Sequence, residues 1–465
     1  MRKLIKTTGT KVWQKNDEVL IFNGNCLSLI WTNDPDVKYF LQSCDMEQHT
    51  YSLKLKFKRK YEELFHLLYT NGFIKYTDEP EPISPLLSNE AYRDIKPVAK
   101  MYLLISQICN FSCKYCYAGG DYGNPGLMRL STAKKAIDYF LTQMTGRRYE
   151  LTLFGGEPLL NKHVMEKSIK YASTKAKALG KELTILVATN GSISSNNIIR
   201  IFTEYNVQVQ ISLDGFKEQQ DYLRPFNSGN GSFDIVFENL KRLLEHKIPV
   251  GISTTVTKYN VDDIVRFYKN IREFPINSLS LVLFSCLGQQ RIPPENMAPD
   301  IKKFSEALIN ISKLYLNDWK KGLKPDVFPL KAIFDSVRYG GRKRFCGAGM
   351  SSVFVDINGD TYPCAYLVSA DNWKTGNVMS NSRNGHVTSS ISKTLSLRTV
   401  EDLNRCRDCL WKYICGGGCA ICSPIGTLIE NNDYERSVWC KIFNEIMPEI
   451  LWEFARDDKN EQDTQ

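Results

Sequence analysis

The cysteines constrain this chain more than any other residue type. There are 14 in 465 residues, three of them between positions 109 and 116 and eight between 346 and 440. That is too sparse for a disulfide-stapled scaffold and too dense for an ordinary cytosolic enzyme. In a reducing compartment such groups read as metal or iron–sulfur ligands. Cys109, Cys113 and Cys116 follow the spacing C-x3-C-x2-C. Three thiolates can bind three irons of a four-iron cluster and leave the last one free for an outside ligand, which makes a reactive site rather than a plain electron carrier. The chain has five histidines, none inside a cysteine group, which disfavours zinc sites of the mixed Cys/His type.

Composition removes several classes. Hydrophobic residues make up 43% and charged residues 24%, a globular balance that excludes disordered and fibrous chains. At about 100–200 residues per domain the chain holds two to four domains. No apolar run reaches the ~18 residues of a membrane span. Met1-Arg2-Lys3-Leu4-Ile5-Lys6 lacks the apolar core of a signal peptide, so the expectation is a cytoplasmic protein. The net charge of +9, from 60 basic and 51 acidic residues, is dispersed and does not call for nucleic acid.

Residues 1–77 read as one unit. Val12-Trp13, Glu18–Phe22 and Cys26–Trp31 read as strands, with Asn23-Gly24 as a hairpin turn. Asp34-Pro35 caps and starts a helix to Cys44. Leu53, Leu55 and Phe57 alternate with Lys54, Lys56 and Lys58, which predicts a strand with one basic face. Tyr61–Tyr69 reads as a helix with Leu64, Leu67 and Leu68 inward, closed by Asn71-Gly72. Residues 78–98, with Pro80, Pro82, Pro85 and Pro97, form a linker.

Residues 99–285 alternate strand and helix. Candidate strands are Met101–Ser106, Glu150–Phe154, Leu183–Thr189, Val207–Leu213, Pro249–Thr255 and Ser278–Phe284, with helices starting near Ser131, Lys162, Ser194, Phe233 and Val261. This predicts a parallel α/β barrel or open sheet, whose chemistry lies at the C-terminal strand ends. Residues 286–340 are a mostly helical bridge, and 341–445 carry the second cysteine group. Ser380–Ser396 reads as a loop, and 446–465 as a helix end whose polar tail from Asp457 frays.

The three-cysteine loop, with aromatic Tyr115 before its last cysteine, resembles the signature of the radical S-adenosylmethionine (SAM) superfamily. Gly155-Gly156-Glu157-Pro158 after the second strand looks like that family's contact to the SAM amino group. The glycines would let the backbone approach, and the carboxylate would accept from an ammonium. Thr189-Asn190-Gly191 ends the third strand and Ser212-Leu213-Asp214-Gly215 the fourth. By resemblance Tyr115, Gly155, Gly156, Glu157, Asn190, Ser212 and Arg224 contact SAM, with Ser212 and Arg224 on its carboxylate and ribose. The resemblance implies a partial (β/α)6 barrel over 99–285.

The later cysteines resemble the SPASM domain, a C-terminal extension that carries two auxiliary 4Fe–4S clusters. The order is Cys346, Cys364, Cys406-x2-Cys409-x5-Cys415-x3-Cys419, then Cys440. Phe345-Cys346-Gly347, Asn358-Gly359-Asp360 and Gly376-Asn377 agree with it. The resemblance implies one cluster on Cys406, Cys409, Cys415 and Cys440, closed by four thiolates. It implies another on Cys346, Cys364 and Cys419, with one iron open to a substrate thiolate. Cys422 stands either as the missing ligand or as a spectator. Cys26, Cys44 and Cys286 read as apolar fillers.

Residues 1–77 look like the winged-helix leader-recognition domain of peptide-maturing enzymes, which takes an extended peptide on a sheet edge. Lys54, Lys56, Lys58, Arg59 and Lys60 would suit an acidic leader. The whole resembles maturases that form thioether crosslinks in ribosomally made peptides, sactipeptide enzymes among them. That implies three 4Fe–4S clusters, SAM, a precursor peptide and a low-potential donor such as flavodoxin or ferredoxin. The alternatives are a C–C crosslink, an oxidised residue, or a non-catalytic iron–sulfur carrier. Sulfatase-maturing relatives carry an aspartate after the cysteine of Tyr362-Pro363-Cys364; here it is Ala365, which argues against that activity.

Overall fold

The computed structural model describes residues 2–87, 98–116, 118, 125–284, 297–321, 326–368, 370–380, 389–419 and 438–462. Its centre is a ten-stranded sheet. Six parallel strands stand side by side in chain order: β7 (Val98–Ser106), β8 (Arg148–Gly155), β9 (Leu183–Thr189), β10 (Gln208–Ser212), β11 (Val250–Val256) and β12 (Ser278–Leu283). Helices α4 (Leu130–Gln143), α5 (Lys162–Ala178), α6 (Asn196–Glu204), α8 (Phe233–Glu245) and α9 (Ile264–Ile271) connect them. A short helix, α7 (Lys217–Leu223), follows β10. Amphipathic faces drive this arrangement: α4 turns Ala133, Ile137 and Phe140 into the core, and α9 turns Ile264, Phe267 and Ile271.

The sheet extends past the six strands at both edges. Beyond β12 lies β13 (Asp326–Phe328), also parallel, set between α10 (Ile301–Lys320) and α11 (Leu330–Arg338). Beyond β7 lies β14 (Ser352–Val355), parallel to it, then β15 (Asp360–Tyr362) and β16 (Gly376–Asn377) in an antiparallel meander. The C-terminal cysteine region is thus stitched to the first strand of the central sheet. Tyr102 of β7 stacks on Phe354 of β14 with ring centroids 4.2 Å apart.

The N-terminal unit has two small sheets, one of β2 (Thr10–Lys15), β3 (Glu18–Asn23) and β4 (Ser28–Thr32), the other of β5 (Gln48–His49), β1 (Lys3–Lys6) and β6 (Ile74–Tyr76). Helix α1 (Pro35–Ser43) begins at Asp34, whose side chain accepts from the Asp36 amide, and α3 (Tyr61–Thr70) ends at Asn71-Gly72 with Gly72 at φ +71°. Strand β3 is buried on both faces. Val19 and Ile21 enter the unit's own core, while Leu20 and Phe22 join the main core, which also holds Trp411, Cys406 and Cys415. Trp13 and Phe22 stack on Trp411 at 5.9 and 5.5 Å.

Three sequence expectations fail. Leu53–Lys58 is not a strand: Thr50–Phe57 is helix α2, and only Leu53 of it is buried. Alternation over six residues mimics a strand, but packing against α1 and α3 decides the local state. Ser390–Leu397, inside the expected loop, is helix α12, started by the Ser389 side chain accepting from the Ser392 amide. The C-terminal helix α13 runs Val438–Gln462 without ending at Asp457. Residues 381–388 of the expected loop, and Cys286 and Cys422, lie outside the described residues.

Candidate active site

The three-cysteine loop leaves the end of β7 and is gripped by the chain that follows α7. The Ser112 amide donates to Pro225 O (2.9 Å), the Lys114 amide to Leu223 O (3.0 Å), and the Asn227 side chain to Cys109 O (2.9 Å). On the other side the Gly156 amide donates to Ser106 O (2.8 Å) and the Glu157 amide to Ile108 O (2.9 Å). A Cβ on Gly155 would lie 2.0 Å from Ser106 O, and one on Gly156 2.5 Å from Ile108 O. The glycines therefore let the end of β8 meet the cysteine loop's own backbone, a requirement the resemblance did not supply.

A cavity of about 280 Å³ opens at these strand ends. Cys109, Cys113, Cys116, Tyr115, Gly155, Gly156, Asn190, Ser212 and Arg224 all line it, with Phe111, Phe154 and Phe284 as apolar wall. Glu157 does not. It is fully buried, and its carboxylate accepts from the Leu159 amide (3.0 Å), the Thr189 hydroxyl (2.8 Å) and the Asn190 amide (2.8 Å). Burial outweighs these bonds and pushes the carboxyl up to about 7. Beside the ammonium contact that the resemblance implies, Glu157 pins the end of β9 and so orients Asn190. Asn190 in turn donates to Asn110 Oδ1 (2.8 Å) and approaches Cys109 Sγ at 3.8 Å.

Asp214, read in the sequence only as part of a strand-end turn, is a second buried hub. It accepts from Arg224 Nε (2.8 Å) and Nη2 (3.3 Å), the Thr255 amide (2.9 Å) and the Tyr115 hydroxyl. The guanidinium fork is therefore oriented before any ligand arrives. No local signal separates this aspartate from a turn residue, because its partners come from β11, the residue that ends α7 and the cysteine loop.

The thiols suit a cationic polynuclear group. Burial raises Cys109 to about 11 and Cys113 to about 12, so the thiolates need a nearby positive charge. The Phe111 amide donates to Cys109 Sγ (3.4 Å). Among the described residues, no three His, Cys, Asp or Glu side chains converge as a single metal ion requires; the three thiols instead ring the cavity.

The second cysteine group repeats this chemistry. The amide two residues on donates to sulfur at Cys346, Cys364 and Cys409, as it does at Cys109. Cys346 and Cys364 each lie within electrostatic reach of Cys419, while Cys409 and Cys415 each lie within reach of Cys406 and Cys440. Burial raises all five of Cys346, Cys364, Cys406, Cys409 and Cys415. Gly416, Gly417 and Gly418 all have positive φ, which turns the chain sharply between Cys415 and Cys419.

Sequence comparison agrees with this architecture. The Radical SAM superfamily model matches residues 103–271, and the SPASM iron–sulfur cluster-binding domain matches 346–410. An uncharacterized protein of Methanocaldococcus jannaschii is 30% identical over 223 residues, 48% of this chain and 74% of that one. The chain belongs to the Radical SAM superfamily and carries a SPASM domain. These domains imply 4Fe–4S clusters and SAM, and the buried thiols and cavity fit such groups.

A cysteine-type anaerobic sulfatase-maturating enzyme of Clostridium novyi is 23% identical over 334 residues, 70% of this chain and 88% of that one. Among solved structures, native anSMEcpe with bound AdoMet and the Cp18Cys peptide has a TM-score of 0.65 at 20% identity, covering 78% of this chain and 99% of that one. Streptococcus suis SuiB bound to precursor peptide SuiA has a TM-score of 0.53 at 14% identity, covering 90% and 96%. Both show a shared fold. Among the described residues, no helix is long and apolar enough to cross a membrane.

Proposed function

We propose that this protein is a radical SAM enzyme that modifies a ribosomally made precursor peptide, joining a cysteine sulfur to a carbon in an intramolecular thioether. The observation that carries it is the convergence of Cys109, Cys113 and Cys116 with Asn190, Ser212 and Arg224 on one cavity. Bound SAM and its cluster would supply a 5′-deoxyadenosyl radical for hydrogen removal. Cys109, Cys113 and Cys116 would hold that cluster. Ser212 and Arg224 would take the SAM carboxylate and ribose, with Arg224 aimed by Asp214. The apolar walls from Phe111, Phe154 and Phe284 exclude water.

Cys406, Cys409, Cys415 and Cys440 would hold one auxiliary cluster and Cys346, Cys364 and Cys419 another, three clusters in all. Residues 1–77 would hold the leader. Their basic side chains lie on α2 and the turn after it, and several are already engaged: Lys54 with Glu62, and Lys60 with Asp34 and Asp36. Lys58 and Arg59 are then the charges best placed for an acidic leader. Flavodoxin or ferredoxin would supply electrons.

A second reading, oxidation of a single peptide residue, has equal support from the sulfatase-maturating relatives. The alanine after Cys364 weighs against this reading and the overall similarity weighs for it. The test is anaerobic. The reconstituted protein should hold about twelve irons and form 5′-deoxyadenosine from SAM and dithionite. Mass spectrometry of a co-expressed cysteine-rich peptide then separates the readings. A thioether removes two hydrogens, blocks alkylation of one cysteine and suppresses fragmentation between the joined residues. An oxidised residue leaves fragmentation intact. Absence of 5′-deoxyadenosine would sink both.

A further inference from the structure

One wall of the active-site cavity comes from the opposite end of the chain. Of its described lining residues, Tyr366 alone lies beyond Phe284. Tyr366 sits in the one-turn helix Ala365–Leu367, two residues after Cys364, and its amide donates to the Cys364 sulfur. Tyr366 packs against the buried pair Leu367 and Leu395, as do Cys364, Cys419 and Trp373. Trp373 also belongs to the adjoining cluster that holds Cys116 and Phe154. One residue therefore bonds to the second cysteine group through its main chain and walls the first group's cavity with its side chain. It is only half-buried.

We propose that Tyr366 is a substrate-positioning residue that seats a thiol-bearing side chain between the three-cysteine loop and the Cys346, Cys364 and Cys419 group. This rests on the thioether reading above. A phenol suits the task, because its ring face can pack a cysteine methylene while its polar tip tolerates a polar neighbour. A thiol passing from the cavity toward Cys364 meets this ring. The chemical class selected is a cysteine side chain rather than a bulky one.

The test uses the anaerobic holoenzyme with L-cysteine as probe, read by the electron paramagnetic resonance signal of the reduced auxiliary clusters. Each variant is first shown to hold the wild-type iron content. L-Cysteine should perturb the wild-type signal. Tyr366→Phe should keep the half-saturating concentration within about threefold, and Tyr366→Ala should raise it about tenfold, the loss of one packed ring. Tyr366→Trp should abolish the response by filling the passage. Equal responses in all four proteins, or no response in any, would overturn the proposal. If Tyr366→Ala fails to load iron, the contrast between Phe and Trp still decides. Failure of the parent reading shows separately, as a co-expressed cysteine-rich peptide in which wild-type protein leaves every cysteine open to alkylation or fragmentation between residues intact.

Discussion

The two cysteine regions solve one problem in different ways. The three-cysteine loop spans eight residues, Cys109 to Cys116, and inherits its shape from the sheet. Strand ends β7 and β8 clamp it from one side, the segment after α7 clamps it from the other, and Glu157 and Asp214 sit behind as saturated polar hubs. The second region runs from Cys346 to Cys440. It has a three-strand meander, short turns and left-handed glycines. Its sulfurs are held by neighbouring amides, and part of its packing comes from the N-terminal unit through Trp13, Phe22 and Trp411. A rigid scaffold can preorganise a site before a cofactor binds. A region of turns depends more on what its thiols bind, because fewer of its main-chain groups are fixed by regular ladders against the entropy of the chain.

The sharpest test of that contrast is replacement of Cys109, Cys113 and Cys116 by Ala. 5′-Deoxyadenosine formation should drop to background while the sheet melts as in wild type; liquid chromatography and circular dichroism report each. Iron chelation should separate the regions next. Hydrogen exchange should speed up through residues 346–419, with β7 to β10 staying protected. Uniform loss of protection would contradict the comparison.

Glu157 gives a pH signature. Its folded carboxyl is raised from 4.5 to about 7, so the folded state holds the proton more tightly. Its contribution is therefore present below the unfolded value and is lost as pH rises through about 7, by up to about 3 kcal/mol. Glu157→Gln removes this slope but places an amide nitrogen against a donor, at a cost of about 1–3 kcal/mol. The variant should melt well below wild type at pH 5, and the gap should narrow toward pH 8.

Smaller effects probe the seams. Gly24→Ala places a Cβ 2.1 Å from Leu410 O, in the turn between Cys409 and Cys415. It should cost about 1–3 kcal/mol, seen as a lower melting temperature. Arg224→Lys keeps the charge and loses the fork on Asp214. Binding of SAM should weaken about tenfold by calorimetry, equivalent to ~1.4 kcal/mol. Unchanged binding would remove Arg224 from the site.

Much was legible because it is local. The six strands, the C-x3-C-x2-C loop and the Asp34-Pro35 helix start each declare themselves within ten residues or so of chain. The shortfalls share a cause. Leu53–Lys58 alternates like a strand yet is helical, with only Leu53 buried. Glu157 reads as a ligand contact by motif, and no short window shows that its oxygens also hold the Leu159 and Asn190 amides and the Thr189 hydroxyl.

By itself the sequence determined the family, the strand-helix alternation and the cysteines on which the chemistry would rest, since hydrophobic period and thiol spacing are properties of short segments. Only the tertiary structure decided which groups meet. It set β14 against β7, aimed Arg224 from Asp214, divided the later cysteines into two neighbourhoods and brought Tyr366 to the wall of a cavity begun more than two hundred residues earlier at Cys109. Those pairings follow from burial and hydrogen-bond satisfaction across distant segments, and no window of sequence contains them.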